Sequence, residues 1–249
     1  MKPISPPLVL ASLSGQSDAA WARAGAEWAG MAVLGGIALD EPARDAARAL
    51  VERDRTEFLP PDPVAFVDEQ LRALAGDPIQ AAVNVRSSSA EAIFPVARIC
   101  RDRGACLEIN AHCRQPELCA VGCGESLLAD GDRLRRYVER GVSAGATVGV
   151  KVRAEVDGVD LPSLCGELEA AGASFVHVDA MDSEPVVAEI VDACGLYVIA
   201  NNGVRDETTA REYLEYGADA VSVGRPSDNP VVLERVARAL EAYATDSIV

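Results

Sequence analysis

One histidine and three cysteines fall within the stretch EINAHCRQPELCAVGCGESLL at 108 to 128. Three kinds of chemistry suit such a cluster: metal coordination, a disulfide, or catalysis by a single thiol. The chain has seven cysteines, an odd number that favours reduced thiols over a set of disulfides. The spacing C-x5-C-x3-C lacks the paired C-x2-C of common zinc sites and differs from ferredoxin motifs. We therefore expect no metal, and a metal-sensing protein built on His112, Cys113, Cys119 and Cys123 is the weakest of three functional hypotheses.

Lys151 lies inside the otherwise apolar segment TVGVKVR (147 to 153) and is one of only two lysines in the chain. Burying an ammonium group is costly unless an anion lies beside it. A cofactor phosphate, an anionic ring or a carboxylate would supply that anion. The structural alternative is an ion pair between Lys151 and Glu108.

Four consecutive strand-like segments each carry two polar residues, separated by one position, near their carboxyl ends. A period of two places both residues of a pair on the same face of a strand. Since catalytic residues of parallel barrels lie at the carboxyl ends of the strands, we expect the pairs to form one polar site. Alternatively, some of them form ion pairs that fill the barrel. The pairs are Asn84 and Arg86, Glu108 and Asn110, Lys151 and Arg153, and His177 and Asp179.

Eight short apolar segments alternate with stretches whose apolar residues recur every three or four positions. Eight strand-helix units in 249 residues predict an α/β fold, a closed (β/α)8 TIM barrel that forms a single domain over residues 1–249. An open doubly wound sheet is the alternative. The predicted strands are 9–13, 31–35, 80–86, 105–110, 147–153, 175–180, 196–201 and 219–224. The predicted helices are 90–104, 132–145, 161–172, 183–195 and 206–217, and segment 55–64 is predicted to be a loop of the third unit.

Glycines directly follow the last two predicted strands, in IANNGVRDETTA (199 to 210) and VSVGRPSDNP (221 to 230). Barrels often bind phosphate at these two loops, through backbone N–H groups and a helix N-terminus. The sequence therefore favours a ligand that bears a phosphate. A barrel isomerase or synthase that acts on a phosphorylated small molecule is one hypothesis that such loops support.

The chain carries 39 acidic and 23 basic residues, a net charge of −16. This balance is typical of proteins from salt-loving microbes and also occurs in ordinary acidic enzymes, since net charge reports on solubility rather than fold. It provides no basic stripe for nucleic acid. No apolar run approaches the length of a membrane helix, and the N-terminus lacks the features of a signal peptide. We therefore expect a cytoplasmic protein without a membrane partner.

An ordered series of segments resembles the motifs of the tRNA dihydrouridine synthases, a family of FMN-containing barrels, over almost the whole chain. ASLSGQSD (11 to 18) resembles their opening Ala-Pro-Met-Ala-Gly-Val-Thr-Asp. EINAHC (108 to 113) and GCGESLL (122 to 128) resemble their Asp-Ile-Asn-x-Gly-Cys-Pro and Gly-x-Gly-x-x-Leu-Leu. The remaining matches are VKVR (150 to 153), VHVDA (176 to 180), ANNGVRD (200 to 206) and GADAVSVGRPSDNP (217 to 230).

The resemblance implies an FMN at the mouth of the barrel. Lys151 and His177 would contact the flavin ring, Asn84 would take the place of a glutamine that also contacts it, and the turn from Ser12 to Ser14 would support it. The residues that would hold the phosphate are Asn202, Gly203, Gly224 and Arg225.

The resemblance also implies the reaction. Reduced FMN would deliver a hydride to a uracil-like double bond, Cys113 would donate a proton to the adjacent carbon, and Asn110 would orient the reacting groups. The implied catalytic set is Cys113, Asn110, Lys151 and His177. With an ordinary pKa of about 8.5, a thiol is mostly protonated at neutral pH and suits a general acid. NADPH or NADH would reduce the flavin.

Four residues depart from the family pattern and flank the substrate side: His112, Arg114, Val178 and Asp179. The chain also ends at Val249, soon after the eighth helix, which leaves no room for the C-terminal helical domain that grips tRNA in the family. Two substrate classes remain, uridine in tRNA and a small pyrimidine-like or pterin-like ring, and the acidic charge makes tRNA the less favoured partner. A flavin-independent isomerase or synthase remains the alternative enzyme.

Overall fold

Eight parallel strands close into a barrel in which each strand is hydrogen-bonded to the next one along the chain and β8 returns to β1. The computed structural model describes residues 1–246, so residues 247–249, the end of the expected domain 1–249, lie outside the described residues. The closure confirms the predicted (β/α)8 barrel and excludes the open sheet. The strands are β1 (Leu8–Leu10), β2 (Met31–Ala38), β3 (Gln80–Arg86), β4 (Cys106–Asn110), β5 (Thr147–Arg153), β6 (Phe175–Asp179), β7 (Tyr197–Asn201) and β8 (Ala220–Val223).

Helices follow every strand and cover the outside of the barrel. Within residues 1–246, none of them combines the length and the apolar character needed to cross a membrane. They are α1 (Ala19–Gly25), α2 (Glu41–Val51), α3 (Pro63–Ala73), α4 (Ile93–Arg103), α5 (Pro116–Ala120), α6 (Glu125–Leu128), α7 (Gly131–Ser143), α8 (Leu161–Ala170), α9 (Val186–Ala193), α10 (Glu207–Glu215) and α11 (Pro230–Asp246).

Aspartate side chains begin six of these helices. Each accepts a hydrogen bond from a backbone N–H in the first turn, which satisfies a donor that would otherwise lack a partner and places a negative charge at the positive end of the helix dipole. Because helices of this barrel start where strands end, the six carboxylates lie on the side of the mouth. They belong to Asp18, Asp40, Asp62, Asp130, Asp160 and Asp206.

Apolar side chains pack against both faces of the barrel wall. Outward residues such as Val83 and Val150 join the helices in the main core. Inward residues at the amino ends of the strands, among them Met31 and Phe175, form a second cluster that closes the floor. A Cβ at Gly149 would lie 2.3 Å from the ring of Phe175, so the glycine gives that ring its space. With the floor filled, a ligand can enter only at the opposite end.

The predicted strands agree with the structure in number and order, and differ at some ends. The first strand was predicted at 9–13 but is Leu8–Leu10, since the next residues already turn towards the mouth, and the second continues to Ala38. Helices α1, α2, α3 and α11 lie outside the stretches that were named as helical from the sequence. The predicted loop 55–64 lies in the second unit, between α2 and α3, and not in the third.

Candidate active site

The carboxyl ends of the strands surround a cavity with two adjoining lobes. The glycine lobe, of about 310 Å³, is lined by residues of the loops after β7 and β8, including Asn202, Gly203 and Gly224. The thiol lobe, of about 470 Å³, is lined by residues that include Asn110 and Cys113. The residues that line both lobes are Ser12, Leu13, His112, Lys151 and Arg225.

Lys151 lies where the two lobes meet. It is 4% exposed, and no carboxylate of the described residues lies within ion-pair distance of its ammonium group. The alternative ion pair with Glu108 does not form, because both oxygens of that carboxylate are held by Asn84 and His177. The side chain opens on the cavity and interacts with Glu108 and Asp179 only through their charge. An anionic ligand in the cavity could therefore pair with the ammonium group directly.

The glycine lobe is shaped by a tight turn after β7. Asn202 and Gly203 both have left-handed backbone angles, with φ of +110° and +67°. The side-chain amide of Asn202 donates to the carbonyl of Met181 at 2.5 Å, which fixes this turn. A Cβ at Gly203 or at Gly224 would meet no atom within 4 Å, so the lobe wall is open at both positions. Together with the guanidinium of Arg225, this wall suits a phosphate group.

Asn110 shapes the loop that carries Cys113. Its Oδ1 accepts hydrogen bonds from the backbone N–H groups of His112 and Cys113, at 3.2 and 3.1 Å. The far side of the loop is fixed by the N–H of Glu125, which donates to the carbonyl of Cys113 at 2.8 Å. A Cβ on Gly124 would lie 2.0 Å from the same carbonyl oxygen, so this close approach requires glycine. The thiol is therefore held in a defined position against the thiol lobe.

Cys113 has an unusually acidic thiol. Burial on its own would raise the pKa, but the positive charge of Arg86 and the ring of His112 lower the pKa to about 6. The thiolate therefore predominates at neutral pH, which differs from the expected, mostly protonated thiol. In contrast, burial raises the pKa of Cys106 to about 11 and that of Cys123 to about 12.

His112 and Asp179 pair across the mouth, with 2.5 Å between Nε2 and Oδ2. Burial would lower the pKa of His112, but Asp179 and Cys113 together hold it above its ordinary value. Burial would likewise raise the pKa of Asp179, whereas hydrogen bonding to His112 keeps it low. The pair is therefore an imidazolium and a carboxylate at acidic to neutral pH. Both residues are departures from the motifs that the sequence resembles.

A hydrogen-bond network lies beneath the cavity. Glu108 accepts from Asn84 at 2.6 Å and lies 2.7 Å from Nδ1 of His177, whose Nε2 is 2.7 Å from the hydroxyl of Ser222. Burial raises the pKa of Glu108, but His177, Lys151 and Asn84 bring it below its ordinary value. Burial and Lys151 lower the pKa of His177, so a carboxylate faces a neutral imidazole.

This network includes two residues that the sequence assigned to the flavin site. Asn84 and His177 are both fully buried and line neither lobe. The two ring nitrogens of His177 are engaged, and the amide of Asn84 is used by Glu108 and Asn110. In this structure both residues support the side chains above them, and their contact with a flavin stays a prediction.

The outermost arginines of the polar pairs form ion pairs. Arg86 donates to Glu57 at 2.6 Å, in a pair whose side chains are 4% and 2% exposed, and also donates to the hydroxyl of Ser14. Arg153 donates to Glu125 at 2.8 Å and lines neither lobe. The shared polar site that the sequence predicts is therefore divided between cavity wall, ion pairs and buried network.

Several cavity residues were not singled out from the sequence. Arg55 and Thr56 line the thiol lobe, and Glu57 neutralises Arg86 behind it. All three come from segment 55–64, which the sequence predicted to be an irregular loop and to which no role was assigned. Charged residues within a proline-rich stretch are the signal that could have indicated its contribution.

The three cysteines that lie close together in the sequence have different surroundings in the structure. Cys119 and Cys123 line neither lobe, and Cys123 packs with Leu118 in an apolar cluster. In the part of the chain described, residues 1–246, no three His, Cys, Asp or Glu side chains are grouped as ligands of a metal ion would be. Of the three sulfur atoms, that of Cys113 faces the cavity.

Comparisons with known proteins show which sequences and folds this chain resembles. An uncharacterised protein of Methanocaldococcus jannaschii is 26% identical over 231 residues, which cover 88% of each chain. Two structures of FabK from Thermotoga maritima, one of them a point mutant, align over 88% of this chain with TM-scores of 0.58 and 0.56 and identities of 16% and 17%. This chain covers 57% and 60% of those chains, and the likeness establishes a shared fold.

The family model described as dihydrouridine synthase matches residues 67–248, which is most of the chain. The match includes the loop of Cys113, the strand of Lys151 and both glycine loops. The protein therefore belongs to the dihydrouridine synthase family.

Proposed function

We propose that this protein is an FMN-dependent oxidoreductase that reduces a carbon-carbon double bond of a pyrimidine-like ring. The observation that carries the proposal is the position of Lys151. The residue is 4% exposed and faces the cavity between the glycine lobe and the thiol lobe, and no carboxylate of the described residues lies within ion-pair distance of its ammonium group. An anionic cofactor that extends across both lobes would stabilise this charge.

The residues of the cavity fit FMN. The glycine lobe offers the backbone of Gly203 and Gly224 and the guanidinium of Arg225 for the phosphate. Lys151 would stabilise negative charge on the flavin ring, and Ser12 belongs to the wall beside both lobes. When bound, FMN would supply a hydride to the substrate, and NADPH or NADH is the proposed source of electrons.

The thiol lobe is the proposed substrate site. Cys113 is the proposed general acid, and Asn110 holds its loop through two backbone hydrogen bonds. Proton donation requires that the sulfur carries a proton at the moment of reaction, although the pKa of about 6 favours the thiolate at neutral pH. Another group must therefore return a proton to the sulfur.

The proposed substrate is uridine in tRNA or a free pyrimidine-like or pterin-like ring. The net charge of −16 supports the free ring, because a negatively charged protein repels a polyanion. A flavin-independent isomerase or synthase would use the same phosphate site without the thiol lobe.

The first test is retention of FMN. The purified protein is incubated with FMN, passed over a desalting column and examined for visible flavin absorbance. We expect the wild type and Lys2→Met to retain the flavin and Lys151→Met to lose it. Failure of the wild type to retain FMN, together with binding of a phosphorylated sugar, would overturn the proposal in favour of the isomerase or synthase.

The second test identifies the acceptor. The flavin is reduced without oxygen and then mixed with unmodified tRNA, uridine, uracil or a pterin, and its reoxidation is followed in a single turnover. We expect one acceptor class to reoxidise it. Cys113→Ala should retain FMN but slow this step by at least about tenfold, the lower range of general acid catalysis, whereas Cys119→Ala in the same loop should not. Equal rates for the wild type and Cys113→Ala would exclude the thiol as the acid.

A further inference from the structure

We propose that His112 and Asp179 form a proton relay that returns a proton to Cys113, so that the acid of the reaction is a unit of three residues instead of a lone thiol. The inference rests on the proposed function for its chemistry. The contacts that carry it belong to the protein alone and can be tested without a flavin.

The three side chains lie side by side at the mouth of the barrel. Asp179 accepts at 2.5 Å from Nε2 of His112, which leaves Nδ1 as the ring nitrogen available to the sulfur. His112 and Cys113 are adjacent in the chain, both line the thiol lobe, and each shifts the pKa of the other. Asn110 binds the backbone N–H groups of both residues, so the ring and the sulfur are held together by the same side chain.

The relay connects a buried atom with solvent. Cys113 is 7% exposed as a residue, whereas the side chain of His112 is 28% exposed. A ligand in the thiol lobe would cover the sulfur further. The imidazole is therefore the more accessible of the two groups, and it can take a proton from water and pass it to the sulfur when the cavity opens between turnovers.

The other charged groups near the sulfur cannot take this role. Arg86, from β3, is a permanent cation, and Glu57, from the segment between α2 and α3, is already neutralised by it. Lys151, from β5, lowers the pKa of His112 through its positive charge. Cys123, from the loop before α6, has a raised pKa, so its thiol stays protonated and influences the sulfur of Cys113 only weakly. Imidazole is the group of this set whose ordinary pKa lies closest to neutrality.

The proton and electron balance is complete. One carbon of the double bond accepts a hydride, for which reduced flavin is the source, and the electron pair of the double bond takes the proton of Cys113 at the adjacent carbon. The S–H bond breaks and its electrons remain on sulfur as a thiolate. Nδ1 of His112 then donates its proton to the sulfur, Asp179 keeps hold of the N–H at Nε2, and water returns a proton to the ring.

The decisive measurement is the pH dependence of Cys113 alkylation in the flavin-free protein. Iodoacetamide reacts with the thiolate, and tryptic cleavage after Arg103 and Arg114 gives a peptide in which fragmentation separates Cys113 from Cys106. The wild type should show a midpoint near its pKa of about 6. His112→Gln and Asp179→Asn should each raise the midpoint, by about one unit or more for His112→Gln, since a neighbouring opposite charge typically shifts a pKa by that amount.

Arg114→Gln is the matched control, because it removes an exposed positive charge from the next position of the same loop and lines neither lobe. Since this substitution also removes the tryptic site at 114, the peptide that carries Cys113 extends to Arg133 in the control. The midpoint of this variant should equal that of the wild type. The relay is overturned if wild-type Cys113 titrates like an ordinary thiol, or if His112→Gln leaves the midpoint unchanged. A midpoint that is unchanged in Asp179→Asn, a substitution of the same size, also overturns it, because the carboxylate would then have no influence on the sulfur.

A second measurement connects the relay to turnover. His112→Gly should slow reoxidation of the reduced flavin by substrate, and added imidazole should restore part of the rate, which a merely structural role would not allow. FMN binding and the alkylation midpoint test the proposed function and the relay independently. Loss of FMN binding in the wild type would refute the proposed function but leave the alkylation result intact, whereas a normal thiol midpoint in an active flavoenzyme would refute the relay alone.

Discussion

The ring of His112 and the carboxylate of Asp179 meet at 2.5 Å although 67 positions separate them in the chain. One residue follows β4 and the other ends β6, so the contact crosses the strand that carries Lys151. Because both residues depart from the family pattern, the two departures constitute a single structural change on the substrate side of the cavity.

This ion pair should make stability depend on pH in a defined direction. The pKa of His112 is raised in the folded state, so its contribution is complete below about pH 6.5, the ordinary imidazole value, and is lost as the pH rises through the raised value. Asp179 has a lowered pKa, so its contribution is lost only in strong acid, below its ordinary value of about 3.9.

The measurement is urea unfolding of Cys113→Ala, with and without Asp179→Asn, since the first substitution removes the titration of the thiol. We expect Asp179→Asn to cost about 1 kcal/mol at pH 6, the scale of a partly exposed ion pair, and less at pH 9. A cost that is equal at both pH values would show that the imidazole is not charged in the pair.

Replacing Lys151 should stabilise the flavin-free protein while weakening FMN binding. Lys151→Met removes a buried charge that lacks a carboxylate partner among the described residues, and we expect unfolding in urea to require about 1–2 kcal/mol more free energy. Lys2→Met, at the exposed other lysine, should leave both stability and FMN binding unchanged. A less stable Lys151→Met protein would indicate that the ammonium group is already compensated without a ligand.

Gly124 and Gly158 form a matched pair of substitutions. Both have left-handed backbone angles, but a Cβ at 124 would lie 2.0 Å from the carbonyl of Cys113, whereas one at 158 would meet nothing within 4 Å. Gly158→Ala should therefore cost about 1 kcal/mol for its backbone alone, and Gly124→Ala at least about 3 kcal/mol with displacement of the loop. The loss of stability in Gly124→Ala should be accompanied by faster alkylation of Cys113. Similar stabilities of the two variants would contradict the close approach of Gly124 to the carbonyl of Cys113.

Arg86 should have two separable effects. Arg86→Met leaves Glu57 buried and unpaired, which should cost about 3–5 kcal/mol of stability. Adding Glu57→Leu should recover part of that loss but should leave the alkylation midpoint of Cys113 above the wild-type value, because Arg86 is the strongest of the groups that lower this pKa. Recovery of both properties in the double variant would show that Arg86 does not act on the sulfur directly.

The barrel could be predicted because eight short, mainly apolar segments bounded by turn residues alternate with helical stretches, as expected for parallel strands covered by helices. The alternation of side chains also correctly placed the polar pairs on the inner face. The alternation could not predict how deep inside the barrel each of these polar side chains lies. Strands of a barrel are tilted and staggered, so Lys151 and His177 are neighbours in register and yet only Lys151 reaches the cavity.

The chemistry of Cys113 could not be predicted from the sequence for a similar reason. Its low pKa depends on Arg86, which arrives from β3, and on the pairing of His112 with Asp179. These contacts follow from the closing of the barrel and leave no trace in the local spacing of residues. Segment 55–64 was likewise recognised as irregular, but its contribution to the thiol lobe depends on the path of the chain between α2 and α3.

The six aspartates that begin helices on the mouth side surround an opening whose own wall is rich in cations, among them Arg55, Lys151 and Arg225. A molecule that approaches from solution meets a negative rim before it reaches a positive interior. Salt screens charges over about 10 Å at ordinary ionic strength, so a compact anion can pass the rim and respond only to the interior. An extended polyanion would interact with both at once. We therefore expect the helix caps, which serve folding, to disfavour an extended polyanion at the entrance more than a compact anion.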